Sequence, residues 1–128
     1  MKTPSKFEVR PLGEKDWPLL KNLVDRVWPV TFKGILSEAQ IAYMMEFMYS
    51  TASLKKQVET GSRFYILYDS EVPIGYLALI PNYQDAKLSS EGSWMKVDKL
   101  YVMPENQGSG AGRFLMDFAF SEAKKENL

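Results

Sequence analysis

Apolar positions change their period several times along this chain, and each change marks an element. Phe7 to Arg10 alternates apolar with polar side chains, which predicts a first strand. Gly13 opens a loop, Asp16 is placed to cap a helix, and Pro18 is tolerated in a first turn. Leu20, Leu23, Val24 and Val27 then share one helical face, and Trp28-Pro29 is expected to end that helix. After a loop through Phe32 and Gly34, Ser37 and Gln40 have capping-box spacing, and Ile41, Met44, Met45 and Met48 continue an apolar stripe. Thr51 to Thr60 reads as another short helix ending at Gly61. Arg63–Tyr68 and Val72–Ile80 are aromatic and β-branched and are joined through Asp69-Ser70-Glu71, a hairpin signal. Gly75 inside the second strand implies a bulge or a close backbone approach. A polar loop to Gly92 precedes a strand from Ser93 to Val102, and Ala111, Phe114, Leu115, Phe118 and Ala119 recur at helical spacing. The order is strand, helices, three strands, helix.

The last strand and helix are joined by the most informative stretch. Pro104 ends the strand, Ser109 is a candidate N-cap, and Gly108, Gly110 and Gly112 alternate with small residues. A strand, a loop poor in side chains and a helix N-terminus form an anion site. The first N–H groups of a helix lack partners, carry partial positive charge and can wrap a pyrophosphate where no Cβ intervenes. A P-loop would require Lys and then Ser or Thr after the last glycine, but Arg113-Phe114 follow. A dinucleotide fingerprint would be G-x-G-x-x-G early in a βαβ unit; this run is G-x-G-x-G and comes late.

Composition narrows the chemistry. The 128 residues suit one domain, and 45% apolar content supports a core. Sixteen basic and sixteen acidic residues balance, which gives no electrostatic case for nucleic acid or an anionic membrane. The absence of cysteine excludes disulfides, thiolate metal sites and a Cys nucleophile. The absence of histidine removes the commonest general base and metal ligand, so no metal is expected. No apolar run approaches a membrane span and the N-terminus has no apolar leader, so a cytoplasmic domain is expected.

Gln107-Gly108-Ser109-Gly110-Ala111-Gly112, after a strand ending Tyr101-Val102-Met103-Pro104, resembles the signature of the GNAT N-acetyltransferase superfamily. That signature is Arg/Gln-x-x-Gly-x-Gly/Ala after a strand ending in Val-x-Pro, and every defined position matches. The resemblance implies an α/β fold with a mixed sheet, formed by residues 1–128 as a single acetyltransferase-like domain. It also implies truncation after the motif helix, because the family continues with a strand, a helix and further strand. What is present corresponds to roughly the first four-fifths of a family domain, so the remainder would come from a longer product or a partner chain, and a homodimer is one possibility.

By the same resemblance, acetyl-CoA is the co-substrate and the acceptor is a primary amine of an unidentified small molecule or protein. Acetyl passes directly, with no covalent enzyme intermediate. Backbone groups of Leu100, Tyr101 and Val102 would bind the pantetheine arm, and those of Gln107, Gly108, Ser109, Gly110, Ala111 and Gly112 would cradle the pyrophosphate, with Arg113 assisting. Many members place a Glu or Asp base eleven positions before the motif glutamine; here that position is Lys96. A lysine is charged at neutral pH unless strongly desolvated. Asp98, on the same side of an unbulged strand, is the first substitute and Glu91 the second. The usual acid, a tyrosine after the missing strand, has no counterpart, leaving Tyr65, Tyr83 and Tyr101, each expected to pack among neighbours. Trp28 and Phe32 are candidates for the acceptor pocket. The rival readings are a non-catalytic acyl-CoA-binding module, favoured by Lys96 and the missing C-terminal part, and a nucleotide-phosphate site of another kind.

Overall fold

The computed structural model describes residues 6–83 and 94–125. Its elements run β1 (Phe7–Pro11), α1 (Trp17–Thr31), α2 (Glu38–Tyr49), α3 (Thr51–Glu59), β2 (Arg63–Asp69), β3 (Val72–Pro81), β4 (Met95–Val102) and α4 (Ala111–Lys125), with short 3-10 turns at Glu14–Asp16 and Pro104–Asn106. The four strands pair in chain order, every pairing antiparallel. The parallel neighbour that would make the sheet mixed is not among the described residues.

Helices cover both faces. Phe64 meets Trp17 of α1 edge to face, whereas the next residue, Tyr65, meets Phe118 of α4 in the same way. Adjacent strand residues point to opposite faces, so α1 and α4 lie on opposite sides of the sheet. Sandwiching explains why Phe64 to Leu67 and Ile74 to Leu79 are unbroken buried runs rather than alternating ones. On α1, Leu20, Leu23, Val24 and Val27 are buried together, as their spacing predicts.

Local chemistry sets most boundaries. At α2, the Ser37 side chain accepts from the Gln40 N–H and the Gln40 side chain accepts from the Ser37 N–H, the reciprocal box its sequence predicts. The Asp16 carboxylate instead accepts from the N–H of Gly13 and makes no cap to α1. Helix α1 also runs on to Thr31 through Pro29, past its expected end. The proline costs one backbone bond, but burial of Trp28 and a bond from the Phe32 N–H to the Trp28 carbonyl hold the last turn.

The β2–β3 hairpin turns through Ser70 and Glu71, both at positive φ (49° and 72°). Gly75 lies beside a register shift in the β2–β3 pair and against β4, where an added Cβ would stand 2.6 Å from the Tyr101 carbonyl oxygen. Both meanings that its sequence position allowed are realised. No helix among the described residues is long and apolar enough to cross a membrane.

Candidate active site

After β4 the Met103 N–H bonds to the Ile74 carbonyl, and Pro104 opens a tight turn. The Gln107 side-chain amide reaches back to the Val102 carbonyl at 3.3 Å, tying the glycine loop to the strand end. Gly108 and Gly110 have φ of +84° and +91°, a region that strains any side chain. A Cβ built at Gly108, Gly110 or Gly112 would meet nothing within 4 Å, so the loop is open on its outer side.

The amides of that loop are largely unspent. Gln107 and Ser109 donate weakly, at 3.3 and 3.4 Å, to Pro104 and Asn106. The N–H groups of Gly108, Gly110, Ala111, Gly112 and Arg113 have no partner among the described residues. Ser109, expected as a cap, turns its hydroxyl to the Asn106 carbonyl instead. The result is a cluster of amide donors at the positive end of a fifteen-residue helix, shaped to take a diphosphate. The exposed Arg113 side chain adds positive charge at its rim. The donor set fits the coenzyme A diphosphate. Beside it, Leu100, Tyr101 and Val102 lie on β4, which has one sheet neighbour, β3, among the described residues.

The upstream half of β4 is bulged. Lys99 pairs with Ala78 and Val97 with Leu79, leaving Asp98 without a residue opposite. The bulge brings neighbouring side chains to one side: the Lys99 Nζ donates to the Asp98 Oδ2 at 3.1 Å. Lys96 approaches the other carboxylate oxygen at 3.3 Å. Asp98 therefore does share a side with Lys96, but on a strand that is not regular. Burial pushes the Asp98 pKa up, yet the charges and hydrogen bonds of Lys99 and Lys96 outweigh it and hold the carboxyl below its ordinary value. A carboxylate held in that state is a weak proton acceptor.

Lys99 is the one buried charged residue among those described, 7% exposed. A buried charge needs partners. Besides Asp98 it donates to the Gln57 Oε1 at 2.6 Å, and its Nζ lies 5.3 Å from the Phe64 ring centre. Gln57 in turn donates to the Met48 carbonyl and the Ser53 hydroxyl, so α2, α3 and β4 meet in one network.

A cavity of about 710 Å³ opens over this network, with Phe47, Met48 and Tyr101 supplying its apolar wall. A larger cavity of about 860 Å³ lies between α1 and α2 but includes no residue of β4 or the glycine loop.

Trp28 and Phe32 line neither cavity. Trp28 is 3% exposed; its indole N–H donates to the Tyr76 hydroxyl, which also shares a bond of 2.9 Å with Tyr49. Both aromatics pack against Tyr101, so their contribution is to the wall behind the site. Burial drives the Tyr49 and Tyr76 phenols far above their usual pKa, and it also raises that of Tyr101, together with the nearby Asp98 charge. Tyr65 packs against Phe118, on the opposite side of the sheet from the network. The ring of Tyr83 lies 5.0 Å from the Lys96 Nζ. Glu91 lies outside the described residues, and no cluster that could hold a metal occurs among them.

The family model described as the acetyltransferase (GNAT) family matches residues 19–128. The chain belongs to the GNAT acetyltransferase family. Among curated proteins none is similar in sequence. Among solved structures, the PaiA N-acetyltransferase of Thermoplasma acidophilum, in complex with coenzyme A, is similar over 95% of this chain and 74% of its own, with 24% identity and a TM-score of 0.74. A predicted acetyltransferase of Clostridium acetobutylicum, with acetyl-CoA, is similar over 96% of this chain and 77% of its own, at 18% identity and TM-score 0.66. The aminoglycoside 6'-N-acetyltransferase of Acinetobacter haemolyticus is similar over 94% and 73%, at 18% identity and TM-score 0.62. At these identities the likeness concerns the GNAT fold, which the four-stranded antiparallel sheet and four helices of the described residues share.

Proposed function

We propose that this GNAT domain is a cytoplasmic N-acetyltransferase that moves acetyl from acetyl-CoA directly to a primary amine. The observation that carries the reading is the set of amides at Gly108 and from Gly110 to Arg113 that have no partner among the described residues, beside a β4 with one sheet neighbour among them. When bound, acetyl-CoA supplies an activated acyl group on a thiol leaving group. The protein's share is holding and orienting. Amides of Gln107, Gly108, Ser109, Gly110, Ala111 and Gly112 take the diphosphate, Arg113 screens it, and Leu100, Tyr101 and Val102 offer main-chain groups to the pantetheine arm. Positioning of two reactants accounts for much of the rate in such transfers.

Asp98 is the one carboxylate among the described residues lining the cavity over β4. Its two lysine partners suit it better to fixing Lys99 than to accepting the amine's proton, which then leaves through water. The same pairing favours a second reading, an acyl-CoA-binding module without transfer. The proposal extends to the rest of the fold: a strand beyond α4, from a longer product or a partner chain, would close the cleft.

Thermal unfolding tests the cofactor. Coenzyme A at a hundred times its dissociation constant should stabilise the fold by about 2.7 kcal/mol, and ATP should not. No shift with coenzyme A would end the proposal. Thiol release from acetyl-CoA across an amine panel then separates the two readings, and an acid limb lost in Asp98→Asn would reinstate Asp98 as the base.

A further inference from the structure

We infer that the acceptor carries an anionic group, a carboxylate or phosphate, on the same small molecule as its amine. This rests on the acetyl-transfer reading and concerns the cavity over the β4 bulge.

The polar atoms of that cavity divide sharply by type. Apart from the Tyr101 hydroxyl, each side-chain acceptor among its described lining residues already has a donor on it. Ser53 Oγ accepts from Gln57 and itself donates to the Met48 carbonyl, and Gln57 Oε1 accepts from Lys99. One Asp98 oxygen is held by Lys99 and the other by Lys96. What is left over is chiefly donors, the Tyr101 hydroxyl being able both to donate and to accept. An ammonium has three N–H groups, and Lys99 spends one on Gln57 and one on Asp98. Lys56, exposed on α3 and lining the same cavity, has no carboxylate partner among the described residues. The Tyr101 hydroxyl is likewise without a hydrogen-bond partner there.

Charge points the same way. Among the described lining residues Lys56 and Lys99 set two ammonium groups against the one carboxylate, Asp98, which Lys96 also pairs with from outside the lining. A polycationic acceptor would bring further positive charge to a place whose one carboxylate among the described lining residues is already paired with two lysines. An amine with a carboxylate or phosphate instead gives Lys56, the spare Lys99 N–H and Tyr101 an acceptor to bind.

The test is an NMR titration of the 128-residue chain, with and without coenzyme A. The probes are β-alanine, its amide, 2-aminoethyl phosphate and spermidine. The two anionic amines should bind at least tenfold tighter than the amide and spermidine, and the stronger of the two names the anion. Lys56→Gln should weaken that binding about tenfold, whereas Lys55→Gln, an exposed neighbour that does not line the cavity, should leave it unchanged. Equal or tighter binding of the amide or spermidine would overturn the inference. So would an effect of Lys55→Gln as large as that of Lys56→Gln. Because the titration is also read without coenzyme A, failure of coenzyme A to bind strikes the acetyl-transfer reading and not this one.

Discussion

Lys99 and Gly75 show how single residues set the geometry of the site. Gly75 lets β3 and β4 approach so closely that a methyl group would meet the Tyr101 carbonyl oxygen at 2.6 Å. Gly75→Ala must push the strands apart, and overpacking of this kind costs about 1–3 kcal/mol, measurable by urea unfolding. Lys99 is held by Asp98, whose folded pKa lies below its ordinary value. A group shifted that way stabilises the fold above its unfolded pKa and loses the contribution as pH falls through the lower, folded one. Unfolding free energy of the native chain should therefore drop on acidification below about pH 4. Asp98→Asn should show a shallower drop and lower stability at neutral pH, because Lys99 would then be buried with neutral amide oxygens as partners and no opposing charge. An unchanged acid slope in the variant would show that the pair adds nothing.

At the scale of elements, α1 carries an internal defect. Pro29 removes an N–H that a helix would use, yet the helix continues to Thr31. Pro29→Ala should restore the bond and raise stability by on the order of 1–3 kcal/mol, read as a higher denaturation midpoint. A lower midpoint would mean that the proline ring itself packs usefully. This helix end also shows which signals a sequence carries. The Ser37–Gln40 box and the run from Val102 through Gly112 were legible because their partners lie a few residues apart. The continuation past Pro29 was not, since it depends on Trp28 reaching Tyr76, 48 residues away. Nor was the burial of Lys99 against Gln57, 42 residues distant, or the bulge that turns Asp98 and Lys99 to one side. The packing of Trp28 and Phe32 on Tyr101, more than 65 residues away, was equally out of reach.

For the whole molecule, layering sets the order of stability. Strands β2 and β3 are covered on both faces by helices, whereas α2 buries only Ile41 and Tyr49. Native-state hydrogen exchange should be slowest in β2 and β3, and faster in α2 than in α1, because local opening follows the apolar contact that must be broken. Protection in α2 equal to that of the central strands would contradict this layering.

The two left-handed residues at the hairpin tip have a reach far beyond their corner. Ser70 and Glu71 fix how many residues separate β2 from β3, and that number decides which β3 side chains look toward α1. One extra residue there, if the strands slid to absorb it, would exchange the outlooks of Tyr76 and Leu77. The indole of Trp28 would then face a hydrocarbon, and the phenol would be stranded beneath α4. The parity of a solvent-exposed corner thus governs the back wall of a cleft on the far strand.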